Sequence, residues 1–294
     1  MTNEYKKLVR ELKNFLKYND LDEFSGSLPV YAPAEPAKKT APSAVKAAPV
    51  VPAQDKPVFK RPAPEPAFDK PVFKKPAAES AGKKPVVPAE DLSGKGMAEL
   101  EKMVARCKKC PLGATRLKSV FGMGNDAAKI IFIGEGPGYE EDRQGLPFVG
   151  KAGILLDKML AAMGLDRTKV YIANIAKCHP MIDPSDPEKR GNDRPPSPEE
   201  IATCRPYIER QIELIRPDFI VALGATSARA LLNSASSLSS LRGTVHDYPR
   251  NPAIKIIATY HPAALLRNEA WKRPAWEDMK LLMRSANITP PGKG

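Results

Sequence analysis

The sequence predicts an α/β domain over residues 97–294. It reads as a three-layer αβα arrangement with a mostly parallel central sheet, preceded by a disordered linker over residues 23–96 and an amphipathic helix over residues 1–22. Three observations point there. Four short apolar runs, at residues 129–134, 170–175, 219–223 and 254–259, read as buried strands. Stretches of helical spacing lie between them, and strands alternating with helices imply a parallel sheet covered on both faces. A glycine-rich segment follows the first run directly, where a parallel sheet places its ligand loops.

In chain order, Tyr5, Leu8, Leu12, Phe15 and Leu16 form one apolar stripe of a helix, with Lys and Glu between them. This helix reads either as a docking element for another protein or as a weakly self-associating helix. Residues 28–92 are dominated by Pro, Ala, Val and Lys. They hold much of a proline content of 31 in 294 residues, about twice the usual share. Proline removes the donors that helices and sheets need, so the segment reads as an extended, partly polyproline-II linker. Its imperfect repeat, residues 55–62 echoed at 69–76, has too few copies for a solenoid. The folded part then runs strand Lys129–Gly134, helix Ala152–Met163, strand Val170–Ile175, helix Pro198–Ile215, strand Phe219–Leu223, helix Thr226–Asn233, strand Ile254–Thr259 and helix Trp271–Ser285. Ser197, Pro198 and Glu200 supply a cap, a first-turn proline and a capping-box acid for the long helix. A unit of this size buries roughly 70% of its unfolded surface, enough for an independent core.

Charge narrows the partner. The chain carries 46 Lys+Arg against 34 Asp+Glu, a net charge of +12. Residues 1–27 are neutral and residues 28–91 carry 11 basic against 7 acidic side chains. With Lys95 set aside, +7 remains on residues 97–294. A basic folded domain suits a polyanion, because neutralising phosphates releases counterions. No apolar run approaches the roughly 18 residues of a membrane span, and the charged N-terminus is not a secretory signal. The expected setting is the cytoplasm, where thiols stay reduced, away from membranes.

Four cysteines stand in the chain. Cys107 and Cys110 form a C-x-x-C pair, and Cys178 and Cys204 lie far downstream. Such a pair holds half of a tetrahedral sulfur site, for which zinc and an iron–sulfur cluster are both open on spacing alone. A redox pair fits less well, because Cys107 follows a helix instead of opening one. The segment after the first strand reads Gly134-Glu135-Gly136-Pro137-Gly138 and continues through Gly145-Leu146-Pro147-Phe148-Val149-Gly150 into a helix. It lacks both the dinucleotide fingerprint and the P-loop lysine, and its proline suggests a fixed cradle.

Taken in order, these residues resemble the iron–sulfur uracil-DNA glycosylases, family 4 of that superfamily. The resemblance rests on Cys107-x-x-Cys110-Pro111-Leu112, Phe121-Gly122-x-Gly124, the two glycine-rich segments, Asn174, Lys177-Cys178, Cys204, Leu223-Gly224 and His261-Pro262-Ala263-Ala264-Leu265-Leu266-Arg267. It covers about residues 99–285. It implies excision of uracil from single- or double-stranded DNA by a monomer, with a repair or replication protein as the partner of the N-terminal helix if that helix docks. Phe148 would stack on the flipped base, Asn174 would read its edge, and His261 would stabilise charge on uracil O2. Leu265 and Leu266 would wedge into the vacated stack and Arg267 would hold a phosphate. Gly136 stands where better-known relatives carry Asp, so Glu135 is the acid left to position water. The resemblance also implies a 4Fe–4S cluster on Cys107, Cys110, Cys178 and Cys204. The stretch between Cys178 and Cys204 is longer than usual and reads as an exposed loop near DNA. His179 and His246 are assigned structural roles. The alternatives are a relative with another base preference, a non-catalytic uracil-DNA tether and a zinc-bound nucleic-acid adaptor.

Overall fold

The computed structural model describes residues 92–290. The expected N-terminal helix, and all but the last few residues of the expected linker, lie outside the described residues. The elements are α1 (Met97–Arg106), α2 (Leu112–Thr115), β1 (Met123–Gly124), β2 (Ile130–Gly134), α3 (Tyr139–Gln144), α4 (Lys151–Ala162), β3 (Tyr171–Asn174), α5 (Pro198–Ile215), β4 (Phe219–Leu223), α6 (Ala225–Leu232), α7 (Leu238–Leu241), β5 (Val245–Tyr248), β6 (Asn251–Thr259), α8 (Pro262–Arg267), a short 3₁₀ turn (Glu269–Trp271) and α9 (Lys272–Ser285).

The six strands form one sheet in the order β1-β3-β2-β4-β6-β5. The four inner strands, β3, β2, β4 and β6, pair in parallel. The two edge strands pair antiparallel. The expected mostly parallel sheet is therefore present, and its four inner strands are the four apolar runs. The edge strands were not foreseen, for a physical reason. β1 is two residues long, and β5 reads Val-His-Asp-Tyr with its first three side chains at least partly exposed, so neither carries an apolar signal.

Strand alternation sends successive side chains to opposite faces. On one face Ile131, Ile133, Ala173, Ile220, Ala222 and Ile256 join Ile208, Ile212 and Ile215 of α5 and Ala228 and Leu231 of α6 in one core. The alternate residues Phe132, Ile172, Val221 and Ile257 are also fully buried. Each such side chain contributes about 1.5–3 kcal/mol relative to exposure. A smaller cluster joins Leu92, Leu100, Val104, Phe121, Cys204 and Tyr207. Leu92 is thus in a core, and the Lys95 carbonyl accepts from Arg210 at 3.0 and 3.1 Å. The folded part begins by Leu92, a few residues before the expected boundary.

Helix α5 starts where expected. Ser197 Oγ accepts from the Glu200 N–H, and the Glu200 carboxylate accepts from the Ser197 N–H at 2.7 Å. It continues through Pro206. The stretch between Cys178 and Cys204 is exposed or partly exposed over most of residues 182–199, as expected. His179, Met181 and Asn192 are its buried anchors, and Met181 bridges Asp193. No described helix is long and apolar enough to cross a membrane.

Candidate active site

The register of the parallel strands builds the site. Gly134 at the end of β2 pairs with Asn174 at the end of β3. Leu223 at the end of β4 pairs with Thr259 at the end of β6. The segments leaving these strand ends are Glu135-Gly136, Gly224 and Tyr260-His261. One side of the sheet therefore gathers residues that are 127 positions apart in the chain, Gly134 to His261.

Gly134 is the closest point of the assembly. A Cβ there would stand 2.4 Å from Asn174 Oδ1 and 2.6 Å from Phe148 Cζ. The Asn174 amide and the Phe148 ring thus share the space above a strand end that tolerates no side chain. Phe148 lies stacked against His261, with ring centroids 5.4 Å apart and planes at 30°. Asn174 is 2% exposed and its Oδ1 has no hydrogen-bond partner among the described residues. A buried amide oxygen without a donor costs about 1–3 kcal/mol, so such a group calls for an explanation beyond packing.

His261 caps α8. Its Nδ1 accepts the Ala263 N–H at 3.2 Å. An accepting Nδ1 carries no proton, so the proton of the neutral ring is on Nε2. Burial, and then the nearby Arg267, push its pKa down to about 4. The ring is therefore neutral near pH 7. Gly224, at φ 94°, leaves room beside it: a Cβ there would approach His261 Cβ to 3.2 Å. Behind the ring, Tyr260 stacks on Trp271 at 4.8 Å. The Arg242 guanidinium covers the Tyr260 ring at 4.1 Å and pairs with buried Asp278 at 2.7 Å.

Glu135 and Gly136 are partly exposed at the mouth. A Cβ on Gly136 would meet Ala176 at 3.4 Å and Pro180 at 3.6 Å. Glu141, which the sequence did not single out, stitches the cradle. Its carboxylate accepts from Gly138 N–H at 3.2 Å, Val149 N–H at 3.0 Å and Gly150 N–H at 3.2 Å. The cradle is therefore interrupted by helix α3, and the carboxylate of that helix joins its two glycine-rich halves. Of the leucine pair in α8, the expectation fails for Leu265. That side chain is 2% exposed and packs inward, because a helical turn carries it to the face opposite solvent. Leu266 is partly exposed and Arg267 exposed.

The four cysteines come together elsewhere. Cys107, Cys110, Cys178 and Cys204 line one small pocket, with Val104, Gly113, Arg116, Lys177, Thr203 and Tyr207. Cys178 and Cys204 are buried, and burial pushes their thiols up to about 11 and about 12. Two N–H groups point at sulfur: Arg116 Nη1 lies 2.7 Å from Cys178 Sγ, and the Lys177 backbone N–H lies 3.2 Å from Cys204 Sγ. Among the described residues no three His, Cys, Asp or Glu side chains are placed to hold a single metal ion. Four thiols around one cavity with N–H donors aimed at sulfur make a donor set that suits an iron–sulfur cluster. His179 is fully buried beside this stretch. Burial opposes its charge, but Asp193 at 2.7 Å and Asp142 at 3.7 Å outweigh it and push its pKa up to about 9. Asp142 also accepts the backbone N–H groups of Leu117 and Lys118. His179 and His246 hold structural contacts, His246 to Thr244 and the Leu241 carbonyl.

Residues 121–280 match the Uracil DNA glycosylase superfamily. The chain is 39% identical to a type-4 uracil-DNA glycosylase of Archaeoglobus fulgidus, over 63% of this chain and 91% of that protein. It is 42% identical to that of Thermotoga maritima, over 59% of this chain and 85% of the relative. It is 39% identical to that of Sulfurisphaera tokodaii, over 66% and 87% respectively.

Proposed function

The chain belongs to the uracil DNA glycosylase superfamily, and we propose that it is a DNA-repair enzyme that flips uracil out of DNA and hydrolyses its N-glycosidic bond, leaving an abasic site. The observation that carries this reading is the convergence of Phe148, Asn174 and His261 on the end of β2, where Asn174 Oδ1 lacks a donor. The base must leave the stack before its glycosidic carbon is accessible. The Phe148 ring offers it a face. Asn174 Oδ1 accepts uracil N3–H while the amide N–H₂ donates to O4, a pairing that cytosine does not satisfy. The His261 Nε2–H donates to O2, where negative charge grows as the bond to the sugar breaks. Glu135 orients the water whose oxygen adds to the sugar carbon. Leu266 fills the vacated stack and Arg267 holds a phosphate.

The four thiols would hold a 4Fe–4S cluster. When bound, it supplies a structural cross-link, since the hydrolysis consumes no electrons. Cys107 and Cys110 after α1, Cys178 after β3 and Cys204 in α5 would thereby be tied together, and the N–H donors of Arg116 and Lys177 would offset the charge on sulfur. Metal analysis of anaerobically prepared protein is expected to find iron and sulfide; zinc alone would overturn the cluster.

The function is tested with the full chain and a labelled oligonucleotide carrying one uracil, followed by alkaline cleavage of abasic sites. A break only at uracil is expected. An unbroken strand, with tight binding to uracil-DNA retained, would make the protein a tether.

A further inference from the structure

We propose that Arg167 is a positioning residue of the base pocket, acting through the backbone of Phe148. The inference rests on the reading of Phe148 as the stacking partner of uracil. Phe148 has a φ of 53°, in the left-handed region where a bulky side chain is an outlier. Such a conformation persists only where its surroundings over-determine it.

Those surroundings converge on the two peptides that flank Phe148. Arg167 is 8% exposed. Its Nη1 donates to the Pro147 carbonyl at 3.0 Å, and its Nη2 donates to the Phe148 carbonyl. Two successive carbonyls therefore point to one side, as the left-handed turn demands. The same guanidinium is fixed from behind by Asp157 of α4, with Nε 2.7 Å from Oδ1, and it touches Met123 Sδ of β1 at 3.3 Å. Gly153 of α4 makes room for the arrangement: a Cβ there would stand 1.7 Å from the Phe148 carbonyl oxygen. A planar fork with five donors spans two carbonyls and a carboxylate at once, which an ammonium on a single point does not. Held this way, the Phe148 backbone delivers its ring to the space above Gly134 and against His261. Released, the peptide relaxes toward extended geometry and the ring leaves that place.

The test compares single-turnover excision from a uracil oligonucleotide, and inhibition by free uracil, in wild type, R167M, R167K, D157N, F148A and the double variant R167M/F148A. Base–aromatic stacking sets the scale. R167M is expected to slow excision about tenfold or more and to weaken inhibition by free uracil by a similar factor, with binding to uracil-free duplex unchanged. R167K is expected to fall between R167M and wild type. In the F148A background, R167M is expected to add roughly less than twofold, because its route of action is already gone. Wild-type rates in R167M, or losses that multiply in the double variant, would overturn the proposal. F148A separates the two ideas. A slow F148A beside a normal R167M removes the clamp and leaves the stacking reading standing. A normal F148A removes the stacking reading and the clamp with it. Should R167M fail to fold, D157N decides: Asp157 is about half exposed, and its variant is expected to be slowed in the same Phe148-dependent way, whereas wild-type behaviour would refute the inference.

Discussion

His261 shows how one side chain takes its form from its neighbours. The Ala263 N–H occupies Nδ1, and burial beside Arg267 keeps the ring uncharged down to about pH 4. The excision rate is therefore expected to show no titration step near 6.5, the ordinary imidazole value. A clear step there, in a pH series of single-turnover rates, would mean that the ring changes charge during normal function. Replacing the ring, as in H261A, is expected to slow excision by roughly 10²- to 10³-fold, the usual cost of losing one preorganised donor. The meeting of Phe148, Asn174 and His261 at one strand end, and of the four cysteines around one pocket, was anticipated only through the family resemblance. Arg167 and Glu141 were not anticipated, because each acts on backbone groups far from itself: Arg167 on the carbonyls of residues 147 and 148, Glu141 on the N–H groups of residues 138, 149 and 150. No pattern of residue types marks a side chain whose partners are peptide groups across a loop.

Among the elements, α5 ties helix initiation to the thiol cavity. Its first turn is closed by Ser197 and Glu200, and Glu200 also pairs with Arg194 at 2.7 Å. Cys204 lies two turns further along. S197A is expected to destabilise the protein by about 1 kcal/mol in a denaturant titration, the usual cost of an N-cap, with excision from an oligonucleotide unchanged under folding conditions. A loss of excision without a loss of stability would place Ser197 in the site itself. The four inner strands could be read from the sequence because burial on both faces makes them continuously apolar. Helix α3 was hidden for the opposite reason. Six residues reading Tyr-Glu-Glu-Asp-Arg-Gln carry one buried side chain, Asp142, and no apolar stripe. The long segment before α5 reads as exposed and largely is, but its buried anchors were hidden because they are polar: His179 Nε2 pairs with the Asp193 carboxylate and Asn192 Nδ2 donates to the carbonyls of Asp183 and Asp186.

At the scale of the whole molecule, the net charge of +12 is divided between the folded part and the residues that precede it. Leu92 packs in a core, so a truncation belongs upstream of it. Removing residues 1–85 is expected to leave uracil excision from a short oligonucleotide intact. It is also expected to reduce the slope of log affinity against log salt for long duplex, since each lost phosphate contact lowers that slope. Loss of activity in the truncated protein would show that the folded unit needs the preceding segment for its chemistry.

Gly134 sets a limit of another kind. The space above it is already taken by the Asn174 amide and the Phe148 ring, at 2.4 and 2.6 Å from where a methyl group would stand. Every other amino acid brings at least that methyl group. Substitution at this position therefore has no conservative option, and even G134A is expected to abolish excision while β2 still forms. In a library of all single replacements, selected for survival under uracil load, codon 134 should return glycine and nothing else.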